Sequence, residues 1–367
     1  MLLRALKATA LVIPTLCLRR TQMSVGTQEV GMPTHQLAEL ASLVRSASSA
    51  DDLDDVRGIL WLEHLNMIVG DRAIATRFYC DFLGFTPDPN VQTDTSFHVN
   101  LGRQQLHLAV GTPHRLHGAM GLAVPSLRRV LDREASVATA LSGTRFSVEQ
   151  PVTGDHEGAL LVTCPWGNRF HVYDAEPPEE RLPSTVGALP KLARIQAAQS
   201  VGMGVSGHPG IRYVCIDVPR GSSASVGAFY REMFGCRVTH HPAISMRRAC
   251  ALVTVGASCH LVFMERESEE LPSSEERHAM KGVHLAMYVA DFKQSHDRMK
   301  ARGLVWTNPR FVALDSCESF EEAVQGRQYR FKDIVEPERG DLIIELEHET
   351  RALRHFQFFK PVAYEPR

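Results

Sequence analysis

Histidines inside short apolar runs are the residues of this sequence whose type and spacing could do chemistry. The chain has 17 histidines, and His107 stands in the run Gln105-Leu106-His107-Leu108-Ala109-Val110. Successive side chains of a strand point to opposite faces, so His107 lies opposite the leucines and the valine. The same division holds for His171, His260 and His284. Neutral imidazole and carboxylate bind zinc, iron(II), nickel, cobalt or manganese. The alternation therefore predicts imidazoles on the face opposite the apolar residues, where they could bind such an ion.

These strands belong to a unit that recurs along the chain. A strand over residues 58–69 and a helix over 71–84 return about 150 residues later, and the Phe-Tyr pair at residues 78 and 79 returns at 229 and 230. Each copy also divides into two units of one strand, one helix and about three strands. A unit with one helix covers one face of its sheet and leaves the other face to another unit or to a ligand.

Three segments carry a resemblance to a known family. They are Leu62-Glu63-His64-Leu65-Asn66-Met67-Ile68-Val69 with the following Phe78-Tyr79, then Pro165-Trp166-Gly167-Asn168-Arg169-Phe170-His171, and Gly282-Val283-His284-Leu285-Ala286-Met287-Tyr288-Val289. Together they resemble the glyoxalase, bleomycin resistance and extradiol dioxygenase proteins, the vicinal oxygen chelate (VOC) superfamily. The resemblance implies an α+β fold of four βαβββ modules, paired into two domains with concave mixed sheets over residues 58–175 and 209–350. The residues leave open whether the modules pair within each half or across the halves.

The resemblance also implies two metal-binding cups, each with ligands from a first strand and a late strand of two paired modules. With pairing inside each half, the slots of the first cup fall on His64, His107, Ala119 and His171, and those of the second on Tyr213, His260, His284 and a residue near Ile344 or Glu345. Alanine cannot coordinate a metal. His98 is a competing ligand, and His117 could substitute only if the strand register slips. Tyr213 is either a weak ligand or a hydrogen-bonding residue.

The carboxylate ligand is expected in the last strand. Ile344 and Leu346 alternate there with Glu345 and Glu347, so we expect Glu345 to fill the slot, with Glu347 as the second choice. With His260 and His284, Glu345 would form the two-histidine, one-carboxylate set of non-haem iron oxygenases. Three protein ligands leave an open position where a metal can polarise a carbonyl or stabilise an enediolate. Glu345 and Tyr213 are accordingly the candidate catalytic residues.

Two classes of function follow. The first is a metal-dependent lyase, isomerase or oxygenase that acts on a small molecule with vicinal oxygens. The second is a metal-free protein of the same fold that binds or sequesters a small molecule. No dinucleotide-binding, phosphate-loop, hydrolase-elbow or zincin motif offers a different chemistry.

Composition narrows the partners. The 367 residues include 40 Lys+Arg and 42 Asp+Glu, and the absence of a long run of like charges speaks against nucleic acid. No apolar stretch reaches 18 residues, so no membrane span is expected. The eight cysteines form no CxxC pair, which favours a reducing compartment. A small-molecule substrate is the expected partner, and a homodimer is kept open.

The two ends of the chain have their own composition. Arg4, Lys7, Arg19 and Arg20 precede the first acidic residue, Glu29, and flank an apolar stretch. Residues 1–28 are therefore expected to be a targeting peptide for a mitochondrion or plastid, with a secretory signal or a cytoplasmic form initiated at Met23 as alternatives. The remaining expected segments are a polar lead-in over 29–57, a linker over 176–208 and a C-terminal tail over 351–367.

Overall fold

The computed structural model describes residues 40, 43–44, 57–102, 104–149, 159–175, 209–243, 248–256, 259–268, 273, 280–310, 317–358 and 364–365. The expected targeting peptide, most of the lead-in and the linker lie outside the described residues. None of the helices in the described part of the chain has the length and apolarity that a membrane crossing requires.

The first two modules repeat one order of elements. The first contains strand β1 (Ile59–Val69), helix α1 (Arg72–Ala75) continuing as a π-helix (Thr76–Phe82), and strands β2 (Thr86–Gln92), β3 (Ser96–Leu101) and β4 (Gln104–Val110). The second contains β5 (Gly118–Val124), α2 (Leu127–Val137), β6 (Ser147–Glu149), β7 (Leu160–Thr163) and β8 (Arg169–Asp174). Both modules thus have the predicted βαβββ order, although part of the helix predicted over 71–84 takes the wider π form.

The third and fourth modules follow the same plan. The third contains β9 (Gly210–Val218), α3 (Ser223–Phe234), β10 (Val238–His241), β11 (Cys250–Thr254) and β12 (His260–Glu265). The fourth contains β13 (His284–Val289), α4 (Phe292–Ala301), a further helix α5 (Phe320–Gly326), β14 (Gln328–Val335) and β15 (Leu342–Arg351). Helix α3 ends at Gly235, whose φ of 74° is the left-handed conformation that glycine adopts at low cost.

Two mixed sheets contain these strands, and the modules pair across the halves of the chain. Sheet A has the order β14-β15-β13-β1-β4-β3-β2, and sheet B has the order β10-β11-β12-β9-β5-β8-β7-β6. The first module therefore pairs with the fourth, through antiparallel β1 and β13. The second pairs with the third, through antiparallel β5 and β9. The predicted α+β architecture of paired βαβββ modules is confirmed, and the ligand sets expected from pairing within each half are regrouped.

Residue alternation gives each sheet one face toward the helices, the helix face, and an opposite face, the cup face. Leu65, Leu106 and Leu108 of sheet A belong to the main apolar core together with the helix residues. The helices lie against both sheets, since Phe78 has its ring 5.6 Å from that of Phe170 on β8. Phe229 of α3 is likewise 6.0 Å from Phe331 of β14. The alternate residues of each strand point to the opposite side and form the cup faces.

The cup face of sheet B carries a buried apolar cluster to which two residues of the lead-in contribute. Leu40 and Val44, which are helical, form a buried cluster with strand residues that include Leu161, Leu252 and Val262. Their burial removes apolar surface of sheet B from water, which stabilises the folded state. The expected lead-in therefore contributes to the fold of sheet B.

Hydrogen bonds also join the two sheets directly. The Gln104 side chain of β4 donates from Nε2 to the Leu62 carbonyl oxygen at 2.8 Å. Its Oε1 accepts from the Ile211 backbone N–H of β9 at 2.6 Å. One buried amide thus satisfies backbone groups of both sheets, which holds them at a fixed separation.

Candidate metal centre

Three side chains of metal-ligand type converge on the cup face of sheet A. His64 of β1, His284 of β13 and Glu349 of β15 each offer a ligand atom, and these atoms lie within 4.8 Å of one another. All three residues are buried. The strand register explains the convergence, because His64 is paired with Ala286 and Ala286 with Glu349. The first and fourth modules thus supply the group jointly.

His64 owes its orientation to a bulge in β1. The pairing with β13 passes from Leu62–Met287 directly to His64–Ala286, so Glu63 is the extra residue. Glu63 can then lie beside its neighbour, and its Oε2 accepts a hydrogen bond from the Nδ1 of His64 at 3.0 Å. The Nε2 of His64 is buried and has no hydrogen-bond partner. Burial, reinforced by the charge of Arg351, holds the pKa of His64 well below its usual value, so the imidazole is neutral.

Two further imidazoles stack beside His64. The ring of His107 lies 3.6 Å from that of His64, with 20° between their planes. His98 lies 3.5 Å from the other face of His107, with 12° between the planes. The Nε2 of His107 donates to Oε1 of Gln105 at 3.0 Å. His107 therefore lies next to the ligand group, and with His98 it forms the half-buried part of the cup.

His284 is the second imidazole of the group. Its Nδ1 is buried without a hydrogen-bond partner, and its ring lies 5.6 Å from that of His64. Burial lowers the pKa of His284 to about 3. The ring is consequently neutral at physiological pH and keeps a lone pair for a metal ion.

Glu349 is held ionised by two arginines. Its Oε1 accepts from the Nε of Arg351 at 2.5 Å, and its Oε2 accepts from Nη2 of Arg330 at 2.6 Å. Burial alone would raise the pKa of Glu349, but Arg351, Arg330 and the two nearby imidazoles hold it well below its usual value. A carboxylate in this state retains lone pairs for a cation.

A chain of alternating charges surrounds the ligand group. Arg351 also donates from Nη1 to Glu63, and Arg330 donates from Nη1 to Glu347 at 3.0 Å. The order is therefore Glu63, Arg351, Glu349, Arg330, Glu347, and all five side chains are buried. Burial raises the pKa of Glu347, although Arg330 and Asn308 contact its carboxylate. Paired in this way, the buried charges tolerate removal from water.

The residues present fit a divalent metal ion. Two buried imidazole nitrogens have no hydrogen-bond partner among the described residues, a condition that in folded proteins calls for a bound water or ion. The third group is an ionised carboxylate. Two imidazoles and one carboxylate suit zinc, iron(II), cobalt, nickel or manganese and leave coordination positions open.

The structure brings some of the predicted site residues together and separates others. His64 and His284 meet in sheet A with His107 beside them, whereas Glu345 does not join them. Its side chain is 54% exposed and pairs with Lys332 at 3.1 Å. Glu349 takes the expected place of Glu345. All glutamates of β15 share one parity, and bulges in the β14–β15 pairing shift the register, so counting back from the turn misplaces the slot.

The remaining predicted residues lie in one row of sheet B. Strand pairing aligns His171, Gly121, Tyr213 and His260. The Nδ1 of His171 is 3.2 Å from the Tyr213 hydroxyl, and both ring nitrogens of the buried His260 have no hydrogen-bond partner. Burial raises the pKa of Tyr213 well above its usual value and lowers that of His260 to about 4.

Among the described residues, the imidazoles of sheet B have no carboxylate grouped with them as Glu349 is grouped with His64 and His284 in sheet A. Ala119 belongs to the apolar cluster of sheet B with Leu40 and Val44. Tyr213 lies in a different sheet from every glutamate of β15, so the two candidate catalytic residues, Tyr213 and Glu345, are separated. Within the described residues, the side chains whose ligand atoms lie close enough together to share one ion are those of sheet A.

Comparison with solved structures finds similar folds among glyoxalases and dioxygenases. Glyoxalase I from Zea mays is 12% identical over 80% of this chain and 92% of its own, with a TM-score of 0.46. A putative dioxygenase from Bacillus subtilis is 12% identical over 82% and 88%, with a TM-score of 0.44. The 2,3-dioxygenase LapB from Pseudomonas is 11% identical over 85% and 95%, with a TM-score of 0.26. No family model and no curated protein matches the sequence.

The four βαβββ modules and their pairing into two mixed sheets agree with the fold that the resemblance to the VOC superfamily implies, whereas the pairing across the halves was left open by the sequence. Identities and scores this low indicate nothing about activity. The function must accordingly be inferred from the side chains of sheet A.

Proposed function

We propose that this chain is a divalent-metal-dependent enzyme of the VOC type, a lyase, isomerase or oxygenase that acts on a small molecule with vicinal oxygens. The supporting observation is the convergence of His64, His284 and Glu349 within 4.8 Å, where two imidazole nitrogens have no protein partner. A metal bound there supplies Lewis acidity to two adjacent substrate oxygens, and the ligand set is also that of iron(II) oxygenases.

The charge of the cup favours an anionic substrate. The carboxylates of Glu63, Glu347 and Glu349 are matched by Arg330, Arg351 and the more exposed Arg310, which lies 3.6 Å from Glu347. The charges of these six side chains therefore sum to zero while the imidazoles are neutral. A divalent ion adds two positive charges to a buried site, where unmatched charge is costly. A catecholate, an enediolate or an α-oxo acid would offset them.

His107 and His98 would bind and orient that substrate. Both imidazoles are half-buried, unlike His64, and they are stacked at 3.5 Å in parallel planes. Burial and the neighbouring histidines hold the pKa of His107 well below its usual value. Because His107 is stacked between His64 and His98, the edges of the stacked rings would contact an aromatic ring or a planar enediolate.

Metal analysis of the purified full-length protein tests the proposal. We expect one divalent ion per chain after reconstitution, its loss in His284→Ala, and its retention in His171→Ala, the matched histidine of sheet B. The protein is reconstituted in turn with iron(II), zinc, cobalt, nickel and manganese, the ions that imidazole and carboxylate ligands suit. Failure of the parent protein to take up any of the five would overturn the proposal.

A substrate panel then separates the reaction classes. It contains a hemithioacetal, a catechol and an α-oxo acid, with oxygen consumption followed by an electrode. Oxygen uptake that depends on iron(II) assigns an oxygenase, whereas turnover without oxygen assigns an isomerase or lyase. Turnover that His284→Ala leaves unchanged would contradict a role for the centre.

The metal-free alternative has its own supporting observation. Both oxygens of Glu349 already accept hydrogen bonds from arginines, so the carboxylate is satisfied without a cation. A cup of this kind can bind a small molecule by hydrogen bonds alone. Absence of metal uptake together with saturable binding of a panel compound, followed by calorimetry, would favour this alternative.

A further inference from the structure

We propose that Glu63 and Arg351 are the positioning residues of the sheet A centre, holding ligands from two modules in one hydrogen-bonded arc. The inference rests on the proposed function and extends it to residues that coordinate nothing themselves. The arc runs from His64 through Glu63 and Arg351 to Glu349. It crosses β13, which lies between the strands that carry its two ends.

Glu63 fixes the protonation site of His64. Its carboxylate can only accept a hydrogen bond, so the proton of His64 sits on Nδ1 and the lone pair on Nε2. Nε2 is the buried nitrogen without a hydrogen-bond partner. The β1 bulge is what permits this contact, because neighbouring residues of a regular strand point to opposite faces. A carboxylate behind a ligating imidazole also raises its basicity.

Arg351 connects the two carboxylates. It donates from Nη1 to Glu63 and from Nε to Glu349, and its side chain is 5% exposed. A guanidinium presents several donors in a fixed plane, which a lysine cannot reproduce. With Arg330 on the other oxygen, Glu349 has one donor on each oxygen. The two arginines would thus hold the orientation of the Glu349 carboxylate as a ligand.

Glu347 offers a matched comparison. It lies on the same strand as Glu349, is equally buried, and contacts Arg330 and Asn308. It shares negative charge and burial with Glu63. Its carboxylate contacts Arg330, Arg310 and Asn308, whereas that of Glu63 contacts His64 and Arg351. Substitution of Glu63 or of Glu347 by an uncharged residue removes a buried negative charge near the centre. Only the substitution of Glu63 also removes the hydrogen bond that orients the imidazole of His64.

The first measurement is the tautomer of His64 in the metal-free protein. Nitrogen-15 NMR of histidine-labelled protein distinguishes protonated from unprotonated ring nitrogens, and the His64 signals are assigned by their absence in His64→Asn. We expect protonation at Nδ1 in the parent and in Glu347→Gln, and a mixture of tautomers in Glu63→Ala. Protonation at Nδ1 alone in Glu63→Ala would overturn the inference without touching the proposed function.

The second measurement is cobalt(II) affinity, followed by visible absorption. Loss of a partner behind a metal ligand typically weakens binding roughly 10- to 100-fold. We expect such a loss in Glu63→Ala and Arg351→Lys, a smaller one in Glu63→Gln, whose amide oxygen still accepts from His64, and a changed spectrum in Arg351→Lys. Thermal unfolding of each metal-free variant shows whether it folds.

The outcomes separate the two proposals. A parent that binds no metal ends the proposed function. Metal binding by the parent, with equal losses in Glu63→Ala and Glu347→Gln, reduces Glu63 to a nearby charge and overturns the inference. Equal affinity in Glu63→Gln and Glu63→Ala would also overturn it, because the conservative change must rescue an orienting hydrogen bond.

Discussion

Burial keeps the imidazoles of sheet A in the neutral form that a metal ion would require. A protonated histidine cannot bind a metal, and an exposed one has a pKa near 6.5. Burial lowers the pKa of His284 to about 3 and holds that of His64 well below its usual value. Protons therefore compete little with a metal between pH 5 and 8. Glu349 remains ionised over the same range, because Arg351 and Arg330 outweigh the effect of burial on its pKa.

At the residue scale, the position of the carboxylate can be tested by two matched variants. We expect Glu349→Gln to weaken cobalt(II) binding by at least tenfold, since an amide is a poorer ligand than a carboxylate and leaves two arginines without an ionic partner. Glu345→Gln should bind like the parent, because Glu345 is largely exposed and pairs with Lys332. A calorimetric titration of each variant measures both. The reverse order would restore Glu345 as the ligand.

Residue types alone indicate the histidines of the centre but not its carboxylate. His107 and His284 follow from strand parity, and His64 from the family resemblance. Glu345, Glu347 and Glu349 share one parity on β15, so alternation cannot choose among them. Glu63 was missed because a bulge breaks the alternation on which the prediction relied. The adjacent Glu-His pair is the signal that could have revealed it.

At the element scale, the cup face of sheet B depends on a helix that precedes the modules. Leu40 is fully buried and packs in the same cluster as Val262 and Leu252. The sequence predicts only a polar lead-in there. A short amphipathic segment is difficult to recognise when its apolar partner lies two hundred residues away. The consequence is that Leu40 and Val44 cover part of the cup face of sheet B.

We expect Leu40→Ala to lower the free energy of unfolding by about 2–5 kcal/mol, the usual loss for a buried leucine. The control is Leu342→Ala, since Leu342 is 59% exposed, and it should change stability by less than about 0.5 kcal/mol. Urea unfolding followed by tryptophan fluorescence measures both. Equal stability of Leu40→Ala and the parent would mean that the lead-in does not support sheet B.

Helix α5 is an element that sequence periodicity did not predict. It begins after Ser319, whose side chain accepts from the N–H of Glu322 while the Glu322 carboxylate accepts from the N–H of Ser319. This reciprocal cap is readable as Ser-x-x-Glu. A helix of seven residues is too short for a clear apolar period, so its cap was the available signal.

At the scale of the whole molecule, buried histidines couple stability to pH. Burial is the main cause that lowers the pKa of five of them to about 3 or about 4, namely His114, His260, His284, His348 and His355. In the unfolded chain each has a pKa near 6.5. Below pH 6.5 the unfolded state therefore binds more protons than the folded state. The free energy of unfolding consequently decreases as the pH is lowered.

We expect the free energy of unfolding of the metal-free protein to decrease from pH 6.5 toward pH 4, by up to about 1.4 kcal/mol per pH unit for each such group. Glu349, whose pKa is also lowered, adds to the loss at the acid end. Urea unfolding at pH 7.5, 6.5 and 5.5 provides the measurement. Equal stability at pH 6.5 and 5.5 would contradict the burial of neutral imidazoles.

The fold was largely predictable and the pairing of its modules was not. Four repeats of strand, helix and strands indicate the βαβββ units, because their periodicity is local. Which units share a sheet depends on contacts between β1 and β13 and between β5 and β9, far apart in sequence. Neither strand pair differs enough in apolar pattern to select its partner. This choice determines which histidines meet.

Because the first module pairs with the fourth, the two sheets cannot be completed in the order in which their first strands are synthesised. During translation the second and third modules emerge consecutively and can form sheet B, whereas sheet A stays incomplete until β13 and β15 have followed. His64 of β1 leaves the ribosome before all the other strands, and Glu349 of β15 leaves it after them. A polypeptide terminated prematurely before β15 would retain every residue of sheet B but could not assemble the centre.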